Sequence, residues 1–206
     1  MLFDKETHEY SFDGIDYTSV TRYLKELRPP FEKEIIAKMI SKKSGRDYDD
    51  IIEEWDLKGQ VAVNYGNAIH DAIHLWIRYG EMPKAKELID VVEKFKQLPL
   101  NHAGLYSEII VYCPERKLAG TVDIFEKVGE SLNVIDIKTS TDIKKQRGYF
   151  KEPISHIPYT KENEYSLQLG LYKQLAEASN KNINECYLLH YDGEFTKQLI
   201  DPLYVR

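Results

Sequence analysis

The chain has 206 residues, enough for one domain, or a core with a helical extension, and for a sizeable buried interior. Hydrophobic content of 42% with 12% aromatics is that of an ordinary globular protein; no segment approaches a membrane span, and "MLFDKETHEY" lacks the layout of a secretory signal, so we expect a cytoplasmic protein with no membrane partner. A net charge of −6 excludes a surface coated in basic residues, and two cysteines, Cys113 and Cys186, are too few for a disulfide framework and read as buried thiols.

Along the chain, "HEYSFDGIDYTSVT" alternates apolar and polar residues about Asp13-Gly14, a two-residue hairpin signal. Ser19 then caps a short helix that Pro29-Pro30 ends. From Glu32 to Gln97 apolar residues recur three or four apart, as in Ile35, Ile36, Met39 and Ile40, or Ile69, Ile73, Trp76 and Ile77, which predicts helices broken at Ser44-Gly45, Gly66, Gly80 and Pro83. Strands are expected over Leu105–Cys113, Gly120–Val128 and Leu132–Thr139, a helix over Lys161–Ala178, and closing strands over Cys186–Tyr191 and Thr196–Ile200. The pattern implies an α/β (α+β) fold with a mixed sheet, residues 1–100 packing on a core of residues 101–206 as one compact unit.

Two aspartates, Asp123 and Asp136, sit in runs that otherwise read as buried strands, where a carboxylate costs several kcal/mol unless its charge is compensated. Alternation puts Asp136 and Lys138 on one face of their strand, and an antiparallel neighbour brings Asp123 towards it. Converging carboxylates suit a hard divalent cation, and a lysine beside them can hold or polarise a water, which are the requirements of phosphodiester hydrolysis. The plainer alternative is an Asp–Lys ion pair at a sheet edge. Lys42, Lys43 and Arg46, and then Lys144, Lys145 and Arg147, form either a basic groove or a solvated face. His70-Asp71-Ala72-Ile73-His74 is one methylene from the zinc peptidase motif HExxH, but the aspartate would fall short of the water and no obvious third ligand follows.

Several motifs occur in order: Gly66-Asn67-Ala68-Ile69-His70, then Glu108, Gly120-Thr121-Val122-Asp123, Asp136-Ile137-Lys138 and Gln168-Leu169-Gly170-Leu171-Tyr172. This series, spanning about half the chain, resembles the PD-(D/E)xK nuclease superfamily and within it the RecB-like exonuclease branch. The hairpin followed by helices is also similar to phage and mitochondrial genome-maintenance exonucleases of that branch. The resemblance implies a restriction-endonuclease-like core, a mixed sheet flanked by helices with an N-terminal helical extension, and one or two Mg²⁺ or Mn²⁺ ions.

By carry-over, His70, Asp123 and Asp136, with Ile137 between the motif residues, bind metal; Lys138 positions or activates the water, Glu108 is the preceding acidic residue, and Gln168 and Tyr172 support the site. With only two cysteines, no iron–sulfur cluster is expected. His74 stands where many relatives carry a glutamate, leaving open which histidine faces the metal, and His70 is preferred for its spacing from Gly66. The implied activity is DNA cleavage from a free end of single-stranded or frayed DNA, in the host cytoplasm if phage-encoded, alongside replication or recombination proteins. Lys42, Lys43, Arg46, Lys144, Lys145 and Arg147 would line a passage for the strand, with Tyr149 and Phe150 stacking on bases. An endonuclease, a nuclease-fold protein that binds DNA without cutting it, and a structural domain with a chance D-x-K are the alternatives.

Overall fold

The computed structural model describes residues 2–4 and 9–205; His8, which opens the expected hairpin, lies outside them. The chain begins with β1 (Leu2–Asp4), β2 (Glu9–Phe12) and β3 (Ile15–Ser19), and β2 turns into β3 at Asp13 and Gly14, both with left-handed backbone as a two-residue turn of type I′ requires. The Ser19 hydroxyl accepts from the Arg22 N–H and so caps α1 (Val20–Leu27), as expected. The helical stretch resolves into α2 (Lys33–Ser44), α3 (Tyr48–Tyr79) and α4 (Lys86–Lys96). Gly45 and Gly80 end helices, whereas Gly66 does not break one. A Cβ at Gly66 would come 3.2 Å from the Thr139 hydroxyl, so this glycine lets a continuous helix pass close to the end of a core strand.

β4 (Leu105–Cys113), β5 (Leu118–Val128) and β6 (Ser131–Lys138) form a meander, α5 (Lys161–Ala178) crosses over, and β7 (Ile183–Tyr191) returns parallel to β6 before β8 (Phe195–Ile200) closes the sheet. The strand order is β1-β2-β3-β5-β6-β7-β8, with β4 on the other edge of β5. The sheet is mixed and helices cover both faces, as the sequence implied. On one side α1 and α5 bury Leu24, Leu169, Tyr172 and Leu175 against Val122, Phe125, Val134 and Leu188. On the other, Ile69 and Ile73 of α3 and Phe95 of α4 meet Ile124, Ile135, Ile137 and Leu189. The first hundred residues therefore share their core with the rest of the chain.

α5 has no exposed side between Glu164 and Tyr172, because the segment after β8 covers its outer face. Leu203 donates its N–H to the Ser166 hydroxyl, and a Cβ at Gly170 would lie 2.0 Å from the Leu203 carbonyl oxygen, so only glycine fits there. Cys113 and Cys186 are buried free thiols.

One edge of β5 is shared by two partners. β3 pairs parallel with its start, at Leu118 and Ala119, and β6 pairs antiparallel with its end, from Ile124 to Val128. The ladder between β5 and β6 stops at Ile124↔Ile135, so the backbone at Gly120–Asp123 lies between two partners that diverge. Along the opposite edge, β4 and β5 keep one register on both sides of Glu108 and Asp123, yet both strands change face there. Leu105 and Ile124 point towards α3 and α4, whereas Val111 and Val122 point towards α5. Glu108 sits at this crossover with φ 55°, a left-handed backbone that costs a non-glycine residue about 1–3 kcal/mol.

Candidate functional site

The divergence of β3 and β6 opens a cavity of about 420 Å³, lined by Glu108, Gly120, Thr121 and Asp123 of the sheet, Lys138 at the end of β6, and Gln168 and Tyr172 of α5. α3 crosses it with Asn67, His70 and Asp71, and the N-terminal hairpin and α1 contribute Tyr10, Ser19, Val20 and Thr21. Ligand atoms of His70, Glu108 and Asp123 all lie within 4.8 Å of one another, the one such His, Cys, Asp or Glu group among the described residues.

Asp123 is fixed from two sides. The Ile137 N–H donates to its Oδ2 at 2.7 Å, filling the place of the ladder bond that β5 and β6 no longer make. His70 Nδ1 stands 3.5 Å from the same oxygen. Burial by itself would raise the Asp123 carboxyl, but the neighbouring His70, Lys138 and the Ile137 N–H outweigh it and hold the carboxyl below its usual range. Burial likewise opposes the charge on His70, and the Asp123 carboxylate overcomes it, so the imidazole is raised.

Asp136 is 1% exposed and pairs with Lys138, whose Nζ is 2.6 Å from its Oδ2. The contact has ion-pair distance but not hydrogen-bond geometry, and neither Asp136 oxygen accepts a hydrogen bond. Burial, and then the nearby Asp123, push this carboxyl up to about 6 against the pull of Lys138. Lys138 is raised, since Asp136 and Asp123 more than offset its own desolvation. One face of the site thus holds two carboxylates of opposite disposition, with a lysine beside both. The expected Asp–Lys juxtaposition on β6 is present, and the carboxylate grouped with His70 and Asp123 is Glu108.

Gln168 and Tyr172, one turn apart on α5, form a buried pair in which Gln168 Nε2 donates to the Tyr172 hydroxyl at 2.8 Å. Burial, with Asp136 and Asp123 nearby, keeps this phenol neutral far above its usual value. Its ring lies against Gly120: a Cβ there would meet Tyr172 Cε1 at 2.6 Å, which explains the glycine of the Gly120–Asp123 motif. Tyr10 supplies a second phenol, hydrogen-bonded to the Thr121 hydroxyl at 2.9 Å and raised chiefly by burial.

The expected set is therefore divided. His70, Glu108, Asp123, Lys138, Gln168 and Tyr172 line one cavity, with Asp136 buried behind Lys138. Ile137 packs its apolar side chain with Ile69 and Ile73, so it is its backbone, with the N–H on Asp123, that lies at the site. His74 Nδ1 bonds the Ser107 hydroxyl at 2.8 Å, so of the two histidines it is His70 that faces Asp123. Among the described residues, no group of three close His, Cys, Asp or Glu ligands contains both His70 and His74.

The basic clusters lie outside the cavity. Arg46 is paired with Glu54, and Lys42 and Lys43 end α2; from there α3 runs about 35 Å, at 1.5 Å per residue, before it reaches His70. Lys144 is 4.0 Å from Glu162, while Lys145, Arg147 and Tyr149 are exposed on the loop after β6. Phe150 does not offer a stacking surface: it is 2% exposed, with its ring edge-on to Tyr159.

Tyr10, Thr121, Asn67 and Asp71 join the site without a signal of their own in the sequence motifs. Asn67 lies one turn before both His70 and Asp71 on α3, so helical spacing places it beside each of them. Tyr10 has no such local cue, because its place depends on the parallel pairing of β3 with the start of β5.

No family model matches the sequence, and no curated protein matches it. Among solved structures, the crystal structure of SSO0001 is similar at 15% identity, over 89% of this chain and 79% of the other, with a TM-score of 0.37. That likeness is too slight to bear on fold or function. No helix among the described residues is long and apolar enough to cross a membrane.

Proposed function

We propose that this chain is a divalent-metal-dependent deoxyribonuclease of the PD-(D/E)xK type, related to the RecB-like exonucleases, acting on cytoplasmic DNA from a free single-stranded or frayed end. The observation that carries the reading is the convergence of His70, Glu108 and Asp123 within 4.8 Å, beside the Asp136–Lys138 pair, in an open cavity. The donor set fits a cation: one imidazole, two carboxylates, and behind them the Asp136 carboxylate, whose Oδ2 is paired with Lys138 and whose Oδ1 has no partner. Oxygen donors with a single nitrogen suit Mn²⁺ and Mg²⁺ better than zinc. When bound, such an ion neutralises the phosphate and makes a water nucleophilic at neutral pH.

The chain's own part is positioning and charge. The Ile137 N–H and His70 fix Asp123 in one orientation, and Glu108 is held opposite by the strained turn of β4. Asp136 anchors the Lys138 ammonium, which can orient a water or meet the charge developing on the phosphate. The Gln168–Tyr172 pair walls the cavity with neutral polar groups.

The test is cleavage of single- and double-stranded DNA by the purified chain in Mg²⁺, Mn²⁺ or EDTA. Activity should require the metal and fall by several orders of magnitude in Lys138→Ala and Asp123→Asn while both remain folded. Full activity in either variant refutes the assignment. A circular single strand beside its linear counterpart tests the free-end requirement: equal cleavage of both would make the enzyme an endonuclease.

A further inference from the structure

A second polar cluster adjoins Tyr165, whose ring Lys138 of the cavity also approaches. Glu164, in the first turns of α5, is 2% exposed, a position a carboxylate does not take without compensation. Arg28, just past α1, reaches it through Nε, and Lys161 Nζ lies 3.6 Å from its other oxygen, which accepts no hydrogen bond. Arg147 joins the same neighbourhood from the loop after β6, where its N–H donates to the Tyr159 carbonyl, and its charge acts on both Lys161 and Tyr159. Arg28 and Lys161 thus flank one buried carboxylate, with the exposed Arg147 on the adjoining loop.

A purely structural ion network would balance its charges. Here one buried carboxylate is shared by two cations, Arg28 and Lys161, with Arg147 near by on the loop, so positive charge is in excess. Burial first, and then the charges of Arg28 and Arg147, hold the Lys161 ammonium below its usual value in spite of Glu164. Concentrating like charge around a buried anchor stores repulsion that a bound anion would relieve. Arg28 and Lys161 keep part of their side chains in solvent, at 35% and 26%, and Arg147 is exposed, so an anion can reach all three.

The cluster is also placed to serve the cavity. The Tyr165 ring has Lys138 Nζ 5.1 Å from its centroid and Lys161 Nζ 6.0 Å from it, so a single aromatic ring separates the two ammonium groups. The two ammonium groups therefore lie no more than about 11 Å apart, close enough for both to meet phosphates of one strand within a few nucleotides, since these recur about every 3.4 Å along the axis. Tyr165 is itself fixed by donating its O–H to the Ser140 hydroxyl at 2.6 Å. The loop bearing Arg147 is pinned by Phe150, Ile154 and Tyr159 in the core and by the Lys151 N–H on the Leu27 carbonyl.

We propose that Arg28, Arg147 and Lys161, gathered around Glu164, form a phosphate-binding site that holds the substrate strand a few nucleotides from the bond being cut. Glu164 acts as the anchor that orients Arg28 and Lys161. The inference rests on the nuclease reading for what the phosphate belongs to.

The experiment measures binding of 5′-phosphorylated and 5′-hydroxyl oligothymidylate in EDTA, across a range of salt, to the unaltered chain, Arg147→Gln, and Arg147→Gln with Lys161→Gln. The double variant should bind on the order of tenfold more weakly, and its dependence of log affinity on log salt should be shallower by about 0.7 for each phosphate it no longer neutralises. Loss of a preference for the phosphorylated end would make the bound group a terminal phosphate; equal weakening for both oligonucleotides would make it an internal one. If the double variant does not fold, Arg147→Gln alone decides, because its side chain is exposed and its hydrogen bond to Tyr159 comes from the backbone. Folded variants with unchanged affinity and salt slope overturn the site, and Mn²⁺ binding at His70, Glu108 and Asp123 would leave the nuclease reading standing. If the unaltered chain binds neither oligonucleotide, both readings fall.

Discussion

Replacing Asp136 by asparagine should stabilise the metal-free protein at neutral pH while destroying the proposed activity. The carboxylate is 1% exposed, accepts no hydrogen bond, and has one close countercharge in Lys138. Its carboxyl moves from 3.8 to about 6, and at about 1.4 kcal/mol per pKa unit the ionised folded state is disfavoured by about 3 kcal/mol. The sign follows from linkage. A carboxyl raised on folding favours the folded state fully only below its unfolded value near 3.8, and that contribution is lost as pH rises through about 6.

Asparagine mimics the protonated carboxyl in shape and does not titrate, so Asp136→Asn keeps what the native chain loses. In EDTA at pH 7.5 the variant should therefore be more stable by about 3 kcal/mol, a rise of roughly 5–10 °C in Tm for a chain of this size. Near pH 4 the difference should shrink to well under 1 kcal/mol. Thermal denaturation followed by circular dichroism at the two pH values measures both. Adding Mn²⁺ should then raise the Tm of the native chain more than that of the variant, by mass action on the folded state. An unchanged or lower Tm for Asp136→Asn at pH 7.5, or a gap that does not depend on pH, would refute the claim that this carboxylate is held at a cost to the fold.

Three further outcomes follow from the same geometry. His70→Ala should weaken Mn²⁺ binding by calorimetry while His74→Ala changes it less, since His70 faces Asp123 and His74 faces Ser107; the opposite ranking would move the ligand one helical turn. Gly120→Ala should cost about 1–3 kcal/mol in denaturant unfolding, because its Cβ would lie 2.6 Å from the Tyr172 ring in a packed core, and a neutral result would show that the ring has room to move. Glu108→Gln should weaken Mn²⁺ binding by calorimetry, since it removes one carboxylate of the group with His70 and Asp123; unchanged binding would take Glu108 out of the metal site.

Much of this is legible in the sequence because it depends on local pattern. The Asp13-Gly14 turn, the Ser19 cap and the strand alternation that sets Asp136 beside Lys138 are all decided within a few residues, and each is found. What cannot be read there depends on distant pairing. Gly66 carries the composition of a helix break, but its role is set by Thr139, which only the packing of α3 on the end of β6 brings near. Tyr149-Phe150 has the composition of a base-stacking pair, yet Phe150 is taken into the core by Tyr159 nine residues later. Arg46 has the charge to meet a polyanion and is paired instead with Glu54, at the far end of α3.

The arrangement of the carboxylates belongs to this second kind, and it shows how a sheet can present charge without exposing its core. Regular alternation would keep Glu108 and Asp123 on fixed faces of β4 and β5, each buried beneath a helix layer. Both strands instead change face at this pair without changing register, so the two acids fall at the one level where neither apolar cluster claims them. The left-handed residue that makes the change is Glu108 itself, so the backbone strain falls on the Cα of a proposed ligand rather than on a neighbour. β6 then departs from β5 at Ile135, and the ladder bond it gives up reappears as the Ile137 N–H on Asp123. Opening the strands and orienting the carboxylate are one event. A substitution that restored regular pairing between β5 and β6 would close the cavity and release Asp123 together.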